Sequence, residues 1–304
     1  MEGKPTVIVT GGSGLLGRAV VRAMQKDFNV IGTAFSRIQA PLVKLDITNR
    51  EATKALLDEY KPVAVIQCAA ERRPDVAEKD KDGAHLINVT SAAWVAEECK
   101  RIGAWFCYIS TDYVFDGKNP PYEVDSAPNP IQFYGQSKWE GEKACLAANA
   151  DATILRVPIL YGKVEYFDEC AVNCLVPIIL NGSKKVGMDD YQVRYPTNVD
   201  DVGRALAALV SKSLTDKTVK GVYHFCAKER ISKYEMCLIM AEVLGGVDTS
   251  HLEPLREAPK EATASRPYNA QLSNKRIEEE AGIHIQCVPF KTWWTENAAT
   301  KGLI

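Results

Sequence analysis

The sequence lacks the features that mark membrane, nucleic-acid and metal proteins. Its longest apolar stretches, such as residues 172–180, fall short of the roughly 20 residues that cross a bilayer. Lysine plus arginine (37) nearly equals aspartate plus glutamate (39), so a net charge of −2 offers no basic surface for nucleic acid. The four histidines (His85, His224, His251 and His284) are scattered without metal-ligand spacing. We therefore expect no membrane, nucleic-acid or metal site.

No Cys-x-x-Cys pair occurs among the nine cysteines, which argues against zinc clusters and dithiol redox centres. Most of them stand in apolar stretches, where a free cysteine serves as a small core residue. Only residues 1–5 precede the first apolar strand, which leaves no room for a signal peptide. These features predict a cytoplasmic protein.

What is present is a globular composition, 46% hydrophobic and 25% charged, in a chain of 304 residues that can form two packed units. Five short stretches are typical of buried strands: residues 6–10, 29–35, 63–68, 104–110 and 152–157. They alternate with helical stretches over residues 15–26, 50–60, 83–101 and 133–148. This alternation predicts βαβ crossovers and a parallel sheet covered by helices on both faces.

The alternation becomes irregular after residue 158. Helices are predicted over residues 169–180, 199–211 and 232–244, the last with Ser232 as N-cap. A strand is predicted over residues 222–225, and residues 248–267 resemble an irregular surface segment. We predict an α/β protein with a Rossmann-type doubly wound parallel sheet in residues 1–160 and a return to that sheet around residues 195–226. Residues 161–194 and 227–304 are predicted to form a smaller α/β lobe for substrate or partner.

A glycine-rich turn, Thr10-Gly-Gly-Ser-Gly-Leu-Leu-Gly17, follows the first strand and opens the first helix. Glycines there permit a tight turn and let backbone N–H groups approach a pyrophosphate beside the positive end of the helix dipole. Because strand, turn and helix occur in the required order, the turn predicts dinucleotide binding. The predicted contacts are Gly11, Ser13, Gly14, Leu15, Leu16 and Gly17.

The end of the second strand indicates which dinucleotide is bound. An NAD enzyme usually places Asp or Glu there to bind the ribose hydroxyls, whereas this sequence reads Phe35-Ser36-Arg37. Ser36 and Arg37 can bind the extra phosphate of NADP, which a carboxylate would repel. Asp46 and Ile47 follow the next apolar stretch and are predicted to border the adenine. The alternative is that Arg37 is a solvated loop residue.

Tyr134 and Lys138 are spaced four residues apart, which puts both side chains on one face of a helix. A protonated lysine beside a phenol favours the phenolate and lowers the tyrosine pKa, so that Tyr134 can exchange a proton with a substrate oxygen. Thr111 ends the fourth strand, where open parallel sheets bind ligands, and can hydrogen-bond the same oxygen. The three residues predict a reductase set.

The glycine turn, Thr111 and the Tyr134/Lys138 pair together resemble an extended short-chain dehydrogenase/reductase. Ser-Thr-Asp-Tyr-Val-Phe-Asp-Gly at 110–117 and Tyr-Gly-Gln-Ser-Lys-Trp-Glu-Gly-Glu at 134–142 are similar to the dTDP-4-dehydrorhamnose reductase branch. Within that branch, Cys-Ala-Ala-Glu-Arg-Arg-Pro-Asp-Val at 68–76 is similar to the regulatory β subunits of methionine adenosyltransferase. Residues 156–162, 194–197 and 266–272 extend this similarity.

The resemblance implies an NADP-binding domain with a smaller lobe over the nicotinamide, and a hetero-oligomer with the methionine adenosyltransferase catalytic subunit. It assigns five more residues to the cofactor, which are Cys68, Ala69, Ala70, Asn88 and Pro158. It assigns four residues to the substrate end, which are Arg72, Arg73, Asp112 and Arg194. One departure is the ending, residues 293–304, which does not match the tail with which the β-subunit family enters its partner.

Three functions stay open at this point. The favoured one is an NADP-binding regulatory subunit that supports S-adenosylmethionine synthesis. The alternative is an active reductase that uses NADPH and a nucleotide-linked 4-keto sugar, with Tyr134 as proton donor. Intact Thr111, Tyr134 and Lys138 fit both, because Lys138 can bind the nicotinamide ribose while Tyr134 borders the ring. A third hypothesis is a scaffold whose affinity for a partner follows the NADP/NADPH ratio.

Overall fold

The computed structural model describes residues 3–258 and 263–299. Part of the segment predicted to be irregular, and residues 300–304 of the ending that departs from the β-subunit family, lie outside the described residues. The strands are β1 (Thr6–Thr10), β2 (Asn29–Ala34), β3 (Val43–Lys44), β4 (Ala64–Gln67), β5 (Trp105–Thr111), β6 (Thr153–Val157), β7 (Leu160–Tyr161), β8 (Val186–Asp189), β9 (Thr197–Asn198), β10 (Gly221–His224) and β11 (Leu252–Leu255). The α-helices are α1 (Leu15–Met24), α2 (Arg50–Tyr60), α3 (Pro74–Lys79), α4 (Lys81–His85), α5 (Ser91–Ile102), α6 (Phe133–Ala148), α7 (Leu175–Leu180), α8 (Val199–Ser213), α9 (Lys233–Val243), α10 (Lys275–Glu279) and α11 (Phe290–Ala299).

Seven strands form one parallel sheet in the order β10-β6-β5-β4-β1-β2-β3. The predicted doubly wound fold is thus confirmed, and β10 pairs with β6 inside the main sheet. The chain runs outward from β1 in one direction through β2 and β3, and in the other through β4, β5 and β6. Ligands bind where such a sheet reverses its direction of winding, at the carboxyl ends of β1 and β4.

Helices cover both faces of this sheet. On one face, Val7 and Val9 of β1 pack in a core with residues of α1 and α8. On the other, Ile8 and Val65 pack against α2, α5 and α6. Because neighbouring residues of a strand point to opposite faces, strands buried on both sides read as continuous apolar runs.

A third apolar cluster lies beyond the main sheet. It centres on Tyr161, Met236, Phe290 and Trp294, all fully buried. Beside it, β8 pairs with β11 and β7 pairs with β9, both in parallel. Helix α9 begins at Lys233 and has the predicted N-cap, Ser232, whose hydroxyl accepts from the Glu235 backbone N–H in a reciprocal capping box.

Three predicted elements differ from the structure. The helix predicted over residues 83–101 is divided by a π-helical turn, Leu86–Thr90, which contains Asn88. The helix predicted over 169–180 is wrong for its first half: a short 3₁₀ turn, Phe167–Glu169, precedes α7, and Glu169 points inward to an arginine. The segment predicted to be irregular contains β11.

Along the described part of the chain, no helix has both the length and the apolar character needed to cross a membrane. All nine cysteines are free.

Candidate functional site

A cavity of about 650 Å³ opens at the carboxyl ends of β1, β4 and β5. Its wall includes these residues predicted from the sequence: Gly11, Ser13, Gly14, Leu15, Leu16, Gly17, Phe35, Ser36, Arg37, Asp46, Ile47, Cys68, Ala69, Ala70, Arg72, Thr111, Asp112, Tyr134, Lys138, Pro158 and Arg194. Asn88 and Arg73 are the two predicted residues that do not line it. Segments far apart in the chain therefore converge on one space, large enough for an extended ligand.

The glycine turn shapes one end of the cavity. Gly11 has φ +69°, and a Cβ there would lie 2.8 Å from the Ala69 backbone nitrogen. A Cβ on Gly17 would lie 2.1 Å from the Gly11 carbonyl oxygen, closer than any real contact. Gly14 is the N-cap of α1 and provides no side-chain cap, so the helix N-terminus is open to an anion. This cradle fits the pyrophosphate of a dinucleotide.

Two arginines and two glutamates meet beside the glycine turn. Arg18 forms two bonds with Glu169, Nη1–Oε1 at 2.8 Å and Nη2–Oε2 at 2.7 Å. Arg37 Nη1 donates to Glu165 Oε2 at 2.6 Å and to Glu169 Oε1 at 3.2 Å. Sequence reasoning missed Arg18, Glu165 and Glu169. Arg18 directly follows the glycine turn and could have been noticed, whereas the glutamates belong to no recognisable motif.

The expected adenine side is lined by Phe35, Asp46 and Ile47. Asp46 Oδ1 accepts from the Thr48 backbone N–H at 2.9 Å and from its hydroxyl at 2.6 Å, which fixes the turn after β3. Phe35 is 62% exposed. An exposed aromatic side chain on a cavity wall offers a face on which a flat ring can stack.

At the other end of the cavity, Thr111, Asp112 and Tyr134 lie together. Thr111 Oγ1 donates to Asp112 Oδ1 at 3.0 Å and accepts from the Tyr113 backbone N–H at 3.2 Å. Burial raises the pKa of Asp112 to about 7, although the nearby positive charge of Arg194 opposes the rise. Burial also raises the pKa of Tyr134 well above its ordinary value, against a hydrogen bond with Thr111.

Lys138 is fully enclosed, and burial lowers its pKa to about 7. Its Nζ lies 3.8 Å from the centre of the Tyr108 ring, a cation–π contact. The expectation that a protonated Lys138 would lower the Tyr134 pKa is not met here. Burial disfavours the charged form of each group and is the largest cause of both pKa shifts, and the Lys138 ammonium lies over the Tyr108 ring.

We call the end of the cavity that holds Thr111, Asp112, Tyr134 and Lys138 the reactive end. A buried ion pair lies beneath it. Arg156 Nε and Nη2 donate to the two oxygens of Glu142 at 2.9 and 2.6 Å, and both side chains are almost fully buried. The Ser110 hydroxyl, one residue before Thr111, also donates to Glu142. The pair therefore ties β5, β6 and α6 together beneath the cavity floor.

Asn88 acts on the loop that follows β4 rather than on the cavity. Its Oδ1 accepts from the Glu71 backbone N–H at 3.0 Å, and its Nδ2 donates to the Glu71 carbonyl at 3.0 Å and to Ser137 at 3.1 Å. The clamped loop presents Arg72 to the cavity. Arg73 instead has a side chain that is 60% exposed and pairs with Glu71 at 3.0 Å, so the structure does not bring it to the substrate end.

Two cations at the reactive end were not predicted individually. Arg266 and Lys233 both line the cavity. Arg266 Nη2 also donates to Asp75 Oδ2 at 2.7 Å, which connects the first turn of α3 to the segment before α10. Arg266 lies in one of the motifs singled out from the sequence, whereas Lys233 carried no signal. Within residues 3–258 and 263–299, no group of His, Cys, Asp and Glu could hold a metal ion.

Fold and cavity together define a class: a doubly wound α/β protein with a large cavity at the switch point of its sheet, at one end of which a glycine-rich turn meets an open helix N-terminus. The family described as "RmlD substrate binding domain" matches residues 5–294. The methionine adenosyltransferase 2 subunit beta of Xenopus tropicalis is 42% identical over 291 residues, covering 95% of this chain and 86% of that protein.

Solved structures of the same class are also similar. A dTDP-4-dehydrorhamnose reductase from Clostridium acetobutylicum has a TM-score of 0.81 and 30% identity, covering 97% of this chain and 99% of that one. The Bacillus anthracis reductase, in complex with NADP, has a TM-score of 0.81 and 26% identity, covering 97% and 98%. The chain thus belongs to the RmlD substrate-binding family of extended short-chain dehydrogenases/reductases, with methionine adenosyltransferase β subunits among its relatives.

Proposed function

We propose that this protein is an NADP-binding regulatory subunit of methionine adenosyltransferase, which supports S-adenosylmethionine synthesis by a separate catalytic subunit. The observation that carries the proposal is the likeness to the β subunit over nearly the whole chain. The nine free cysteines support a reducing, cytoplasmic setting for that role.

For the cofactor we propose NADP. Ser36 and Arg37 would hold its extra phosphate, while the glycine turn and the N-terminus of α1 would hold the pyrophosphate. Lys138 would bind the nicotinamide ribose, and Tyr134 would border the ring. When bound, NADP supplies a nicotinamide carbon that can accept a hydride.

The cofactor proposal is tested by calorimetric titration with NADP and with NAD. Since a charge-assisted hydrogen bond contributes about 1.5–3 kcal/mol, we expect NADP to bind roughly tenfold or more tightly than NAD. The Arg37→Ala variant should lose most of that difference. Equal dissociation constants in the wild type would contradict the proposal.

The partner proposal is tested by mixing the purified chain with a methionine adenosyltransferase catalytic subunit. Co-elution on a sizing column, together with changed kinetics of S-adenosylmethionine synthesis relative to the catalytic subunit alone, is the expected result. Separate elution and unchanged kinetics at micromolar concentrations would contradict it.

One observation favours a second candidate, an active reductase of a nucleotide-linked 4-keto sugar. Thr111, Tyr134 and Lys138 share the cavity wall with Asp112 and Arg194. The distinguishing measurement is oxidation of NADPH in the presence of dTDP-4-dehydrorhamnose. NADPH oxidation by the wild type that disappears in Tyr134→Phe would favour the reductase. No NADPH oxidation by the wild type would favour the regulatory role.

A further inference from the structure

We call the end of the cavity at the glycine turn, beside Arg18 and Arg37, the phosphate end. The positive charges of these arginines are balanced by carboxylates of the chain itself. Arg18 and Arg37 face Glu165 and Glu169, two cations against two anions. Arg37 reaches both glutamates through Nη1, and its guanidinium lies 5.6 Å from the centre of the Tyr166 ring. Its positive charge is therefore already offset before any anionic ligand approaches.

The two glutamates differ in how firmly they are held. Glu169 has a side chain that is 1% exposed, and besides Arg18 and Arg37 it accepts from the Glu165 backbone N–H at 2.9 Å. These donors hold the pKa of Glu169 below its ordinary value despite its burial. Glu165 has a side chain that is 43% exposed and pairs with Arg37 at 2.6 Å and Arg18 at 3.6 Å. Glu169 is anchored, whereas Glu165 can swing into solvent.

We propose that Glu165 is a specificity-determining residue, which competes with the 2′-phosphate of NADP for Arg37 and so narrows the preference for NADP over NAD. This inference rests on the proposed NADP site. A 2′-phosphate carries up to two negative charges, so binding at Arg37 requires it either to displace the Glu165 carboxylate or to bear its repulsion. NAD has a neutral hydroxyl at the same position, and the competition does not affect it.

The test is a calorimetric comparison of NADP and NAD binding to the wild type and to Glu165→Gln. Glutamine keeps the length of the side chain and removes its charge. From the usual strength of a partly exposed ion pair, we expect the NADP dissociation constant to fall about three- to fivefold. The NAD dissociation constant should stay within about twofold, so that the preference for NADP widens.

Two further variants establish that the effect is local. Asp168→Asn removes the same charge from an exposed residue of the same segment, which forms no ion pair within the described ranges, and should leave the preference unchanged. In an Arg37→Ala background, Glu165→Gln should improve NADP binding by a clearly smaller factor than in the wild type, because the competition for Arg37 is gone and only direct repulsion of the phosphate is relieved. Thermal unfolding of each variant, with Glu165→Ala as a second substitution, establishes that the fold is intact.

The outcomes separate this inference from the function on which it rests. A folded Glu165→Gln whose preference for NADP is unchanged, or which binds both dinucleotides more tightly by the same factor, overturns the role of Glu165 alone. A wild type that binds neither dinucleotide, or binds both equally, overturns the NADP site itself. A gain for NADP alone that depends on Arg37 supports both.

Discussion

The two ends of the cavity are formed by different parts of the chain: backbone atoms at one end and side chains at the other. At the phosphate end the backbone forms the site: glycines make the turn, and the open N-terminus of α1 faces the ligand space. At the reactive end, side chains form it, and burial displaces the pKa values of Asp112, Tyr134 and Lys138 from their ordinary ranges. The first end depends on the absence of side-chain atoms, and the second on charges removed from water.

This difference determines how each end responds to change. A substitution in the glycine turn acts through overlap of atoms, which pH does not alter. A substitution at the reactive end acts through the free energy of burying charge, which depends on pH and on the presence of a partner. Predictions that disturb one end at a time therefore test the comparison.

The largest effect is expected beneath the reactive end. Arg156→Met leaves Glu142 buried without its partner, and the free energy of unfolding should fall by about 3–5 kcal/mol in denaturant titration. Replacing both members, in Glu142→Leu with Arg156→Met, should recover much of that loss, because no charge is then left buried. If the double variant were as unstable as the sum of both single variants, burial of charge would not be the cause.

The next effect concerns Asp112 and pH. Its pKa in the folded protein is raised from 3.8 to about 7, so folding favours the protonated acid. The stability that this acid contributes is full below about pH 4 and is lost as the pH rises through about 7, a change of up to about 4 kcal/mol. Asp112→Asn should flatten the fall in unfolding free energy between pH 4 and 7. An unchanged slope in the variant would contradict this account.

The features that the sequence could predict are mainly those of the backbone, as at the phosphate end. The glycine turn, β1 and α2 are local patterns, and the structure has β1 and α2 at their predicted bounds. Parallel pairing and the site at the strand ends follow from the alternation of strands and helices. The elements themselves depend on residues close together in the chain, and their pairing follows from the order in which strands and helices alternate.

The features that the sequence could not predict depend on tertiary contacts, which no local sequence pattern indicates. The spacing of Tyr134 and Lys138 indicates a shared helix face, but it cannot indicate that burial dominates both pKa values. Arg72 and Arg73 are adjacent and chemically alike, yet only Arg72 lines the cavity, since the loop that carries them is clamped by Asn88. Glu169 meets Arg18 only after the chain has folded back over the glycine turn.

A smaller effect is expected at the phosphate end. In Gly17→Ala the new methyl group overlaps the Gly11 carbonyl, so we expect a loss of about 1–3 kcal/mol of stability and loss of dinucleotide binding. The loss of stability should be the same at pH 5 and pH 8, in contrast to Asp112→Asn. Gly182→Ala is the matched control: its Cβ would meet only His251 Nδ1 at 3.8 Å, an ordinary contact. Similar losses in the two variants would mean that the overlap is not the cause.

The smallest effect tests whether position or burial distinguishes the two ends. Asp75 and Arg266 pair at 2.7 Å at the reactive end, but their side chains are partly exposed, unlike those of Glu142 and Arg156. If burial determines how strongly an ion pair stabilises the fold, Asp75→Asn should lower the free energy of unfolding by no more than about 1 kcal/mol. Moderate salt should then remove the difference in stability between this variant and the wild type. Denaturant titration at low and at moderate ionic strength measures both quantities. A loss as large as that of Arg156→Met, insensitive to salt, would show that position at the reactive end, rather than removal from water, gives these pairs their strength.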